Sequence, residues 1–163
     1  MTTPVAFSAS NNGSGHTVQS VANILERELQ TVIDEWLTRV EKEPDLRHIP
    51  LNYEERTGHL PYLLHDVINR LRLDAGTKAP ISRAAADHGD LRRKQGYTVA
   101  MSVEESRLLQ VSIFTTLHKN VKQIEFSQLL PDIVIIADEV DAQLKEQMLR
   151  FMAADAEEKA KGK

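Results

Sequence analysis

Residues 81–121, ISRAAADHGDLRRKQGYTVAMSVEESRLLQVSIFTTLHKNV, decide the fold. Alternating steps of four and three run through Ile81, Ala85, His88, Arg92 and Gln95 on the first arm. They run through Val103, Arg107, Gln110, Phe114, Leu117 and Val121 on the second. Residues spaced this way share one face of a helix. The two arms meet across Gln95-Gly96-Tyr97-Thr98, where Gly96 suits the left-handed position past a helix C-terminus. Thr98 can cap the second helix, with Ser102-x-x-Glu105 as a competing start one turn later. A short connection between helices makes them antiparallel neighbours. Folding about Tyr97 then sets His88 opposite Ser106 and Arg107, and Arg92 near Ser102 and Glu105. Each stripe is apolar far from the turn and polar close to it.

The flanking chain has the same periodicity. A helix of about 25 residues is expected from Thr17, with the stripe Val18, Ala22, Leu25, Leu29, Val32 and Trp36, and Pro44 beyond its end. Asn52-x-x-Glu55 reads as a capping box, and Pro61 predicts a break around Gly58–Pro61. Leu60, Leu63, Leu64, Val67, Ile68 and Leu71 make a second core-facing helix, and residues 74–79 a loop. The last helix is expected from Glu125 through Phe126, Leu130, Ile133, Ala137, Val140, Leu144, Met148 and Phe151. Pro131 kinks it unless it falls in the first turn. No strand-like alternation occurs. The fold class is therefore all-α, an antiparallel bundle of four to five helices, with a globin-like arrangement as one form of it. Residues 1–16 read as a disordered arm, 17–152 as one helical domain, and 153–163 as a frayed tail.

Composition narrows the function classes. The 163 residues carry a net charge of −4, which gives no bulk attraction to nucleic acid or anionic membrane. Cysteine is absent, excluding disulfides, thiolate metal sites and Cys nucleophiles. No apolar run approaches the roughly 20 residues of a membrane helix, and no basic-then-apolar leader opens the chain. A cytoplasmic protein is the expectation. His48, His59, His65, His88 and His118 fall on different segments with no metal-ligand spacing between them, so no metal site is expected. His88 or His118 could serve a haem geometrically. No nucleophile motif or Gly-rich phosphate loop is present. Arg92-Arg93-Lys94 reads as a solvated helix end, where cations are favourable.

The polar seam has two readings. His88, Arg92, Gln95, Tyr97, Glu105 and Arg107 either form a satisfied network that fixes helix register, or line a switch that protonation or a ligand can bias. Gly89 and Gly96 are taken as turn residues. The seams of the first and last helices serve as core, as a homodimer interface, or as both.

AAADHGDLRRKQGY followed by VEESRLL resembles the helical N-terminal domain of RsbRD-type RsbT co-antagonists. A-x-x-H-G-x-x-R-x-x-Q-G-Y precedes a helix bearing E-x-R-x-L in that family. The similarity extends to WLTRV, EPDLR and HLPYLLHDVINRL and covers residues 22–152. It matches His88, Gly89, Arg92, Gln95, Gly96, Tyr97, Glu105, Arg107 and Leu109. The resemblance implies a non-catalytic sensory or regulatory module, of the kind found ahead of STAS domains in stressosome proteins and ahead of histidine kinase modules. The implied partner is a signalling protein, or an output domain of STAS or kinase type joined to this module. The alternative is a small-molecule or haem-binding globin-like sensor.

Overall fold

The chain runs through α1 (Val21–Arg27), α2 (Leu29–Val40), α3 (Pro44–Arg47), α4 (Tyr53–Thr57), α5 (Leu60–Leu71), α6 (Arg83–Lys94), α7 (Val99–Lys119) and α8 (Phe126–Lys161). These come from a computed structural model that describes residues 17–162; the expected N-terminal arm, 1–16, lies outside the described residues. Among the described residues no β-strand occurs, only an isolated bridge between Gln19 and Ile124. The all-α bundle holds. No described helix is long and apolar enough to cross a membrane.

α8 is the spine, with α5, α6 and α7 packed along it, while α2 lies on α7 and α1 on α5. The expected first helix divides at Glu28 (φ −95°, ψ 14°), yet its ladder continues from Glu28 N to Ile24 O at 2.8 Å and from Val32 N to Glu28 O at 3.0 Å. α1 and α2 therefore act as one bent helix. Its stripe is buried at Ala22, Leu25, Val32 and Trp36, against Leu60, Leu64, Val67 and Ile113 in the common core; Val18 stays exposed.

Short helices cannot sustain themselves in water, and α3 and α4 are held by their ends. Pro44 opens α3 at a position needing no N–H. The capping box at Asn52 forms in both directions, Glu55 N donating to Asn52 Oδ1 at 2.9 Å and Asn52 N to Glu55 Oε2 at 2.8 Å. Asn52→Ala should therefore cost about 1 kcal/mol in urea denaturation. The break expected around Pro61 separates α4 from α5, with the proline in the first turn of α5.

Three expectations are corrected. On α7 the buried residues are Ser102, Glu105, Ser106, Leu108, Leu109, Ser112, Ile113, Thr116 and Leu117. Of the expected stripe Leu117 is buried and Phe114 packs on the core, while Val103, Arg107 and Val121 are exposed. The small side chains at Ser102, Ser106 and Ser112 let neighbouring helices approach, so the rotated face packs better than the more bulky stripe chosen by spacing. On α8 the buried seam is Ile136, Glu139, Val140, Gln143, Gln147, Phe151 and Ala154, which keeps Val140 and Phe151 of the expected stripe but leaves Phe126 and Leu130 exposed. Gln143 sits in that seam because its Nε2 donates to Leu63 O at 3.0 Å. Finally, α8 does not fray at residue 153 but continues to Lys161. Ala154 remains buried there, and Arg93 pairs with Glu158 at 2.6 Å. Pro131, the sixth residue of α8, falls beyond the first turn and inside the helix.

Candidate functional site

The hairpin turn closes as its residues require. Gly96 takes φ +87°, and Thr98 rather than Ser102 starts α7, its hydroxyl accepting from Met101 N at 3.2 Å. The expected antiparallel packing of the two arms is corrected: away from the turn α6 lies along α8 rather than on α7. The side chains of His88 and Arg92 on α6 reach the first half of α7, with the α4–α5 junction closing the third side.

Glu105 is the hub. Its residue is 3% exposed, and its carboxylate accepts from Tyr97 OH at 2.7 Å and from Arg92 Nε at 2.9 Å. His88 Nε2 stands 3.4 Å from the same oxygen that Arg92 uses. The Glu105 backbone carbonyl accepts from Trp36 Nε1 at 3.2 Å. Burial pushes the Glu105 carboxyl up, but His88, the Arg92 charge and Tyr97 outweigh it and hold the group below the usual range. Arg92 is permanently charged, so its contribution is the dependable one. Burial and the adjacent Glu105 charge raise the Tyr97 phenol, which stays protonated and donates.

Arg92 has no exposed surface and uses its remaining donors on two backbone carbonyls and the Gln95 side chain. Its Nη1 donates to Glu55 O at 3.1 Å and Gln95 Oε1 at 2.7 Å, and its Nη2 to Arg56 O at 2.8 Å. Glu55 and Arg56 lie in the last turn of α4, where carbonyls lack helical partners and a cation is favoured. Arg56 repeats the device, donating to Leu46 O at 3.3 Å and Ile49 O at 2.7 Å at the end of α3. The guanidinium of Arg92 also lies 4.8 Å from the Tyr97 ring centroid. Arg92 therefore couples the α6–α7 turn to α4.

His59, at the entrance of α5, was not singled out by spacing. Its ring stacks on that of His88 at 3.6 Å and 13°, and meets Trp36 edge-on at 6.1 Å. His59 keeps some exposed surface, but its Nδ1 is sealed from solvent. Burial, then His88 and Arg92, hold His59 well below the usual histidine range. Burial likewise lowers His88, with Glu105 pulling the other way. A void of about 10 Å³ adjoins both rings, lined also by Ser106, Gln143 and Gln147. That is room for about one water, and a haem on His88 does not fit. His118 is exposed, beside an open apolar cleft of about 140 Å³.

Of the expected cluster, His88, Arg92, Gln95, Tyr97 and Glu105 come together. Arg107 does not: it lies exposed on the opposite face of α7, paired with Glu104 at 2.5 Å. The expected stripe is buried only at its far end, at Leu117 with Phe114 packed on the core, and Arg107 lies on the part that faces away. Gly89 is not a turn residue but sits within α6, where a Cβ would meet Gln147 O of α8 at 2.3 Å. The three-residue step from Arg92 to Gln95 and the Gly96 turn behave as expected.

The two lowered histidines fix a pH response. Each is neutral in the fold and takes a proton near pH 6.5 when unfolded. Their contribution is complete above about pH 6.5 and is lost as pH falls from there towards their folded values. Glu105, also lowered, contributes above its ordinary value and fails only at more acid pH. Urea midpoints should therefore begin to fall near pH 6.5, well before carboxylates titrate. His59→Phe, which keeps a ring on His88, should flatten that first phase. A midpoint constant down to about pH 5 would contradict this assignment.

No protein-family model, curated protein or solved structure matches the chain.

Proposed function

We propose that the chain is a non-catalytic, cytoplasmic sensory or regulatory module of the RsbRD N-terminal kind, which passes a signal by helix rearrangement to a partner or to an output domain of STAS or kinase type. The carrying observation is the buried network on Glu105. It joins α2, the α4–α5 junction, α6 and α7 through polar contacts, where an apolar core would have served stability as well. Such contacts have discrete alternatives, because each donor must find another acceptor when one is lost. The motif residues His88, Arg92, Gln95, Tyr97 and Glu105 all belong to this network, which supports reading the motif as one device. Phe126, Leu130 and Val134 are 77%, 70% and 67% exposed at four-residue steps on α8, which supports homodimerisation through that helix. Leu130→Glu should then shift the sedimentation coefficient from dimer to monomer.

The absence of cysteine makes the rearrangement measurable. Spin labels at Tyr62→Cys on α5 and Lys94→Cys on α6, both exposed positions, report the distance across the network. Tyr97→Phe removes one donor to Glu105, at a cost of about 1 kcal/mol, and should populate a second distance. Distributions that match the parent in both Tyr97→Phe and His88→Gln would sink the reading.

A further inference from the structure

Two imidazole nitrogens, His59 Nδ1 and His88 Nδ1, are sealed from solvent without a hydrogen-bond partner. A buried polar atom left unpaired costs about 1–3 kcal/mol, so His59 Nδ1 in particular asks what it can hold. Both rings adjoin a carboxylate, which His88 faces with its other nitrogen, Nε2. One donor atom from each of His59, His88 and Glu105 lies within 4.8 Å of the other two, the single such group among the described residues. The contact of His88 Nε2 with Glu105 Oε2, 3.4 Å, is long for a charge-assisted hydrogen bond of about 2.7–2.9 Å. It is close to the edge of a zinc tetrahedron, whose donors, each about 2.0–2.1 Å from the ion, sit about 3.4 Å apart.

We infer that His59, His88 and Glu105 bind a divalent transition-metal cation of the zinc class, and that this cation is the signal the module reads. The second half rests on the sensory reading above; binding itself does not. Two imidazoles and one carboxylate are a donor set that suits zinc. A cation needs neutral histidines and an ionised Glu105, the states that burial and Arg92 favour here. Tyr97 and Arg92 supply the outer contacts that orient the carboxylate. The void of about 10 Å³ beside the rings leaves a fourth position for one water. Arg92 opposes a second cation, but its charge is already met by Glu105 and shared over the carbonyls of Glu55 and Arg56. Affinity should accordingly fall below that of a structural zinc site.

The stacked rings supply the coupling. Imidazole lone pairs lie in the ring plane, so rings 3.6 Å apart and 13° from parallel cannot both aim at one ion. A bound cation must fan them apart, moving the entrance of α5 against α6. It binds the fanned arrangement better than the stacked one, and only such a difference can shift a population.

The test uses the untagged full chain with zinc and cobalt(II) as probes. Zinc affinity is read by competition with a chromophoric chelator, cobalt(II) geometry by its visible bands, and stability by Tm. The expected result is one equivalent bound, tetrahedral cobalt bands and a Tm raised by zinc. His59→Gln should weaken binding by about tenfold or more, with His88→Gln as the second ligand variant. A control in which His16, His48, His65 and His118 are all replaced by Asn should bind as the parent does. No bound ion, or an affinity that His59→Gln and His88→Gln leave intact while the control loses it, overturns the site. Zinc that binds without changing the Tyr62–Lys94 label distance overturns its role as signal. The network variants without metal then still decide the sensory reading by themselves.

Discussion

Arg92→Met should destabilise the protein by about 3–5 kcal/mol, the cost of leaving one partner of a buried ion pair uncompensated. Methionine fills similar space, so the loss is electrostatic rather than a cavity. Glu105 would keep Tyr97 but lose its only permanent cation, in a site 3% exposed. At the same time the carbonyls of Glu55 and Arg56 would lose their donors, so α4 would loosen from the hairpin. Urea denaturation near pH 7 reads the total. A double variant, Arg92→Met with Glu105→Gln, separates the parts: it removes the stranded charge and should recover about 1–3 kcal/mol as coupling energy. What the double variant does not recover belongs to the helix-end contacts. A loss below about 1 kcal/mol for Arg92→Met would mean that water reaches Glu105 and that the network is not a buried one. For the same reason Arg92 variants are poor probes of signalling, since they damage the fold they are meant to interrogate; Tyr97→Phe and His88→Gln perturb the network with less damage.

The sequence carried the hairpin turn because its signals are local. Gly96, Thr98 and the polar steps His88–Arg92–Gln95 lie within a dozen residues, but the packing of α6 along α8 instead of antiparallel on α7 was not legible, because it depends on a helix that follows the whole of α7. The same locality explains the capping box at Asn52 and the break before Pro61. Facing on α7 was not legible, because Leu108, Leu109, Ile113, Phe114 and Leu117 support two adjacent stripes. Only tertiary packing chooses between them, and it chose the one with Ser102, Ser106 and Ser112. Arg107 left the site with the rejected part of its stripe. His59 was missed for a different reason: its contact with His88 spans the whole of α5 and the 74–79 loop, and no spacing rule reaches across such a gap. The signal available was weak, a histidine just ahead of an apolar helix start at Leu60-Pro61. The tail after residue 153 was misread because α8 continues where its stripe thins, held by Ala154 and by Arg93 with Glu158.

Gly89→Ala carries the second large effect, and its sign is the informative part. At an exposed helix position, replacing Gly by Ala stabilises by about 1 kcal/mol. Here the added Cβ would lie 2.3 Å from Gln147 O and 2.8 Å from Gln147 Cα. Both are backbone atoms of α8, so no rotamer can swing aside, and ordinary contact begins only at 3.4 Å. The helices must part by about 1 Å at the place where α6 is seated on α8. Overpacking against backbone that cannot rotate away falls at the upper end of about 1–3 kcal/mol, so after the propensity gain of about 1 kcal/mol a net loss of up to about 2 kcal/mol is left. Because His88 neighbours Gly89, the parting also widens the void beside the stacked rings. Trp36 is the only tryptophan and stands 6.1 Å from the His59 ring, so its fluorescence reports that widening separately from global stability. A destabilised Gly89→Ala protein with altered Trp36 emission places the α6–α8 approach and the histidine pair in one mechanical unit. A stabilised one would mean that α6 and α8 do not touch at Gly89, and the packing that seats His88 would have to be redrawn.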